Sequence, residues 1–150
     1  MQWNDVAKVF EVDGGLLDIY VSKTSVSDWD SLISLCSGFG RVTYTRDGEE
    51  TPLPTSAAKL LDDREHSHCM SVELGGPVAN IHFFVTDEIE LDLDPSEIQS
   101  QAALDDVLNF CSKLSQEIER DVRITPESTP ETILLYYSAK EQTWRIPKQL

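Results

Sequence analysis

An α+β domain with a mostly antiparallel sheet is the fold class the sequence predicts, and three observations carry it. Short runs of β-branched, aliphatic and aromatic residues recur along the chain, separated by turn formers such as Asp13-Gly14-Gly15 and Gly75-Gly76-Pro77. Only two segments, within residues 27–37 and 95–118, repeat their apolar residues at helical intervals. These two helices stand between groups of strands instead of alternating with single ones, which favours segregated layers over βαβ units. At 150 residues, 40% of them hydrophobic, the chain is expected to form one domain, 1–150, with its own core.

Taken in order, residues 9–12 and 16–21 alternate well enough for two strands, and Asp13-Gly14-Gly15 offers positive φ angles between them. An opening β-hairpin is expected. Ser27-Asp28-Trp29-Asp30 has capping-box spacing, Trp29, Leu32, Ile33 and Cys36 make one apolar stripe, and Gly38 stops the helix. Residues 41–46 read as a strand ending at Asp47-Gly48, and Pro52 and Pro54 make 47–56 a loop. Residues 57–61 suit either one helical turn or irregular chain. Residues 70–74, 78–85 and 89–93 then predict an antiparallel meander. Asp94-Pro95-Ser96-Glu97 looks like the start of the main helix, with an acidic cap, Pro at the first turn and Glu three residues after the cap. Its apolar face is Leu104, Val107, Leu108, Cys111, Leu114 and Ile118. Residues 122–125, 133–138 and 143–146 finish the chain as strands.

Charge is distributed unevenly. Between Arg64 and Lys113 there is no lysine or arginine, yet ten carboxylates fall there, two thirds of the net charge of −15. A one-signed surface attracts basic proteins or cations, and repels nucleic acid, over roughly 8–10 Å. Within that stretch, Glu88-Ile89-Glu90-Leu91-Asp92-Leu93-Asp94 alternates strictly, so on a strand the acids share one face about 6.8 Å apart. Such a row suits a solvated sheet face, and Asp94, Glu97, Asp105 and Asp106 have roles near a helix start. Asp87, Glu88, Glu90 and Asp92 have none, and they are the expected docking surface for a basic protein.

Chemistry is sparser. A three-residue loop Thr86-Asp87-Glu88 would set His82 opposite Asp92, a pair able to exchange protons in a small hydrolase or metal-dependent enzyme. His66, His68 and Cys69 are zinc-ligand types in one short run, without the second pair a zinc site needs. Residues 92–97 imitate a calcium loop but lack its turn glycine, with Glu97 there instead. Gly38-Phe39-Gly40 lacks the third glycine of a dinucleotide fingerprint, and no Walker, zinc-protease or nucleophile-elbow motif is present. No cofactor is expected, and scattered Arg and Lys argue against nucleic-acid binding. Trp3, Trp29 and Trp144 could anchor an interface, although Trp29 and Trp144 fall where core residues are expected. Three cysteines with Cys36 and Cys111 on apolar helix faces read as reduced thiols. No secretory signal opens the chain and no run of 18 apolar residues occurs, so a cytoplasmic protein without a membrane span is expected.

The segments Gly15-Leu16-Leu17-Asp18-Ile19-Tyr20-Val21, Ile81-His82-Phe83-Phe84 and Glu88-Ile89-Glu90-Leu91-Asp92-Leu93-Asp94-Pro95 resemble small bacterial α+β proteins of the toxin-immunity type. The resemblance covers about a third of the chain and assigns no site residue. With the acidic strand, it implies a non-enzymatic protein that neutralises a basic toxin such as a nuclease. Two other classes fit the same residues: the His82 enzyme, and a structural or assembly subunit that associates through an apolar patch.

Overall fold

The computed structural model describes residues 1–148. Its first ten residues form α1 (Trp3–Val6) and a 3-10 turn (Ala7–Phe10), and the first strand is β1 (Leu17–Ser22). The expected opening hairpin is therefore absent. Val6 and Phe10 are four residues apart and both buried, with Trp3 packed 5.9 Å from Phe10, so the helical spacing outweighs the short alternation of residues 9–12. Asp13 accepts the Gly15 N–H at 2.9 Å around Gly14 at φ +89°, an Asx turn that redirects the chain without pairing strands.

Helix α2 (Val26–Cys36) has its cap two residues before the predicted one, Ser27. Ser25 is the N-cap: its hydroxyl accepts the Asp28 N–H at 3.3 Å, and Asp28 accepts the Ser25 N–H at 3.0 Å, completing a capping box. Strand β2 (Val42–Arg46) then turns through Asp47 and Gly48, at φ +53° and +82°, into a short edge strand β3 (Glu49–Thr51) that the loop reading of 47–56 missed. Its polar residues carry no strand signal of their own; a primed turn and an available partner make the strand, and Pro52 ends it. Helix α3 (Ala58–Asp62) resolves the open reading of that segment as one helical turn.

The meander is as expected: β4 (His68–Glu73), β5 (Val78–Val85) and β6 (Glu88–Leu93). At Asp94 the chain makes only a 3-10 turn (Pro95–Glu97), and the main helix α4 (Gln101–Ile118) starts at Ser100, whose hydroxyl accepts the Ala103 N–H at 3.2 Å. The predicted start fails because Glu97 turns away from the cap and accepts the Val78 N–H of β5 at 3.2 Å. Strands β7 (Val122–Pro126), β8 (Leu135–Ser138) and β9 (Thr143–Arg145) complete the chain.

All nine strands join one antiparallel sheet in the order β3-β2-β4-β5-β6-β1-β7-β8-β9. The fold is thus a single α+β domain with α2 and α4 as its main helices. One sheet face, built by Leu17, Ile19, Val21, Ile81, Ile89 and Leu91, packs with the apolar faces of the helices into a single core. Trp29 of α2 meets Phe83 of β5 at 5.1 Å, and Phe39 meets Phe110 of α4 edge-on at 5.1 Å, so Trp29 is a core residue. The residues between these point to the other face. Among the described residues, no helix is long and apolar enough to cross a membrane.

Candidate functional site

On β6, alternation buries Ile89, Leu91 and Leu93 completely and leaves Glu88, Glu90 and Asp92 half-buried on the outer face. The register supplies their neighbours: Asp18, Tyr20 and Ser22 of β1 pair with Asp92, Glu90 and Glu88, while Asn80 and His82 of β5 pair with Asp92 and Glu90. Four carboxylates, Asp18, Glu88, Glu90 and Asp92, consequently meet at the middle of a nine-stranded sheet, on the side away from the helices. Asp87 lies apart from the row. It occupies the exposed hairpin tip, where Thr86 and Asp87 carbonyls accept the Trp29 indole N–H at 3.0 Å and the Thr24 N–H at 3.1 Å. The tip is thereby tied to the start of α2.

The predicted meeting of His82 with Asp92 is present, by a different route. The β5–β6 turn has two residues, Thr86 and Asp87, and a bulge between His82 and Val85 sets His82 opposite Glu90. The imidazole reaches diagonally to Asp92, Nε2 to Oδ2 2.5 Å, while Asn80 donates to Oδ1 of the same carboxylate at 2.9 Å. Exposed Phe84 stacks flat on the ring at 5.3 Å. The hydrogen bond to Asp92 raises the His82 pKa above its ordinary 6.5 against the opposing effect of burial, and Glu90 and Asp18 raise it further. For Asp92, burial works upward, but the bonds from His82 and Asn80 prevail and lower its pKa.

Across the row, Tyr20 is 4% exposed and its single phenolic proton faces two acceptors, Asp18 at 3.0 Å and Glu90 at 3.2 Å. Asp18, also 4% exposed, additionally accepts the Ser128 N–H at 2.7 Å, from the β7–β8 loop folded over this part of the face. Burial raises the Glu90 pKa above 4.5, and the charges of Asp18 and Glu88 add to it, outweighing the Tyr20 hydrogen bond and His82. Glu90 is therefore the carboxylate with the least compensation. Arg123 of β7 is the fixed cation beside them. Its guanidinium lies 5.1 Å over the Tyr20 ring, donates to Ser22 at 2.7 Å and to the Pro130 carbonyl at 3.1 Å, and stands 3.7 Å from Glu88.

The other candidates separate. His68 points into the core, its Nδ1 2.5 Å from the Tyr44 hydroxyl and its Nε2 2.9 Å from Asp63; His66 sits in the preceding loop, 2.6 Å from Asp47; and Cys69 points to the outer face. Period-two alternation alone divides His68 from Cys69. Among the described residues, no group of three His, Cys, Asp or Glu could hold a metal ion. Cys69 is paired with His82 across β4 and β5, which places a thiol beside the His82–Asp92 pair. Burial and the Asp92 charge raise that thiol's pKa, the opposite of what a nucleophilic thiolate requires.

Asp18, Tyr20 and Arg123 were missed from the sequence because the row joins strands 70 and 101 residues apart, Tyr20 to Glu90 and Ser22 to Arg123. The usable signal was a second alternating run, Leu17-Asp18-Ile19-Tyr20-Val21, with a carboxylate on its polar side. No protein-family model, curated protein or solved structure matches this chain.

Proposed function

We propose that this chain is a non-enzymatic binding protein whose outer sheet face, Asp18, Glu88, Glu90 and Asp92 with Asp87 at its edge, docks and neutralises a basic protein. The observation that carries this reading is four carboxylates gathered on a helix-free sheet face beside one arginine, Arg123. Strands hold the row rigidly, so little ordering entropy opposes docking, and charge complementarity speeds encounter and rejects acidic partners. Next to the row is a cavity of about 440 Å³ of mixed charge, lined by Lys23, Arg120 and Arg123 as well as Glu119, Asp121 and Tyr136, with room for a partner's side chain. The sequence resemblance to toxin-immunity proteins makes a basic toxin such as a nuclease the partner, met in the reducing cytoplasm where Cys36, Cys69 and Cys111 stay free.

The test is affinity capture from native lysate with wild type and an E88K/E90K/D92K variant side by side, eluted by a salt gradient. The reading expects one basic protein retained by wild type alone and released as salt rises. A protein retained equally by both, or released independently of salt, would count against an acidic docking face.

A further inference from the structure

Docking of a basic protein on the outer face leaves His82 a regulatory role, one that rests on the docking reading itself. His82 is held on the acidic face by the 2.5 Å contact to Asp92, with Phe84 stacked on its ring. The groups that face it are Asp92 and Glu90 from β6, Asp18 and Tyr20 of β1 beyond Glu90, and Cys69, its paired residue on β4. The charged members of that set are all acidic. The helices lie on the opposite face, and Arg123 is occupied with Tyr20, Ser22 and Glu88 beyond Glu90.

We infer that the proton on His82 is the resting counter-ion of the acidic face, and that a guanidinium of the docking partner, seated against Glu90 and Asp92, displaces it. A cation near Asp92 occupies the electrostatic position that the imidazolium holds in the free protein. The two charges would stand roughly 6 Å apart in a half-buried setting of intermediate dielectric, where repulsion lowers the proton's affinity about tenfold. By linkage, docking releases a proton, and affinity rises with pH until His82 is neutral in the free protein. Because the His82 pKa in the free protein is raised above 6.5, the rise is complete only above that value.

The probe is an acetylated, amidated hexa-arginine peptide, which has no group titrating between about pH 5.5 and 9. Its binding is measured by calorimetry across that range, in buffers of different ionisation enthalpy that count released protons. The three proteins are wild type, H82Q, whose amide still donates to Asp92, and E88K/E90K/D92K; unfolding curves confirm that each is folded. Wild type is expected to bind up to about tenfold tighter at pH 8.5 than at pH 6, releasing at most about half a proton in the middle of the rise. H82Q is expected to lose most of that dependence above pH 6.5, while retaining whatever Glu90 contributes at lower pH. A peptide bound through the intact face with the same pH slope in wild type and H82Q would overturn the role of His82 alone. A peptide that wild type fails to bind, or that E88K/E90K/D92K binds as tightly, would overturn the docking face and the proton exchange together.

Discussion

Tyr20→Phe removes one proton from the place where two carboxylates compete for it. The Phe ring can keep the packing under Arg123, 5.1 Å away, so the change isolates the hydroxyl that lies 3.0 Å from Asp18 and 3.2 Å from Glu90. A hydrogen bond to a charged acceptor contributes about 1.5–3 kcal/mol. Asp18 retains the Ser128 N–H and half-buried Glu90 recovers some hydration, so the loss expected at pH 8 is about 1.5–2 kcal/mol. With a urea dependence near 2 kcal/mol/M, the unfolding midpoint falls by about 1 M. The sign of the pH effect follows from Glu90, whose folded pKa is already above 4.5 and rises further without the hydroxyl. The part of the penalty that comes from Glu90 is complete above that folded pKa and shrinks as pH falls through it, because a protonated Glu90 no longer repels Asp18, while the part from the lost bond to Asp18 remains. Urea unfolding of both proteins at pH 8 and pH 5.5 measures it. Equal midpoints at pH 8, or a deficit that grows at pH 5.5, would refute the shared-proton account.

Two further outcomes follow from burial and close approach. Burial pushes the Cys36 and Cys111 thiols up to about 12, so a thiol-reactive dye should label native protein only at half-buried Cys69, and slowly, whereas denatured protein should react at all three sites. A side chain at Gly40 would bring a Cβ within 2.4 Å of the Glu73 carbonyl, so Gly40→Ala should cost about 2 kcal/mol by overpacking. That corresponds to a Tm lower by about 4–8 °C in a scanning calorimeter, and an unchanged Tm would show that the Arg41–Glu73 approach is free to open.

Legibility in the sequence tracked the range of the interactions. The meander β4–β5–β6 and the apolar faces of α2 and α4 were visible because period-two and helical patterns are local properties of residues a few positions apart. Both helix starts were misplaced because a Ser or Asp with an acid three residues on occurs at more than one position, and the choice depends on tertiary partners. Glu97 is held by Val78 of β5, and Asp28 is shared between Ser25 and Arg120, which donates to it at 2.9 Å. Edge strand β3 could not be seen, since Glu49-Glu50-Thr51 becomes a strand only beside β2. Glu88, Glu90 and Asp92 were found as a row, while their flanking partners Asp18, Tyr20 and Arg123 depend on β1 entering between β6 and β7. The His82–Asp92 contact was anticipated from a register that the bulge replaces, and diagonal reach restores it.

The central place of β1 also governs when the molecule can be completed. This strand leaves the ribosome early, yet the residue opposite Tyr20 on one side is Glu90, 70 positions later, and on the other side Arg123. At ordinary elongation rates of about 5–20 residues per second, Leu17–Ser22 waits roughly 4–14 seconds for its first neighbour. During that time an apolar, β-prone segment has both edges open, the condition in which nascent chains capture one another. The interval ends with synthesis of the acidic strand itself, so Glu88–Leu93 closes the gap in the sheet as well as carrying its charge.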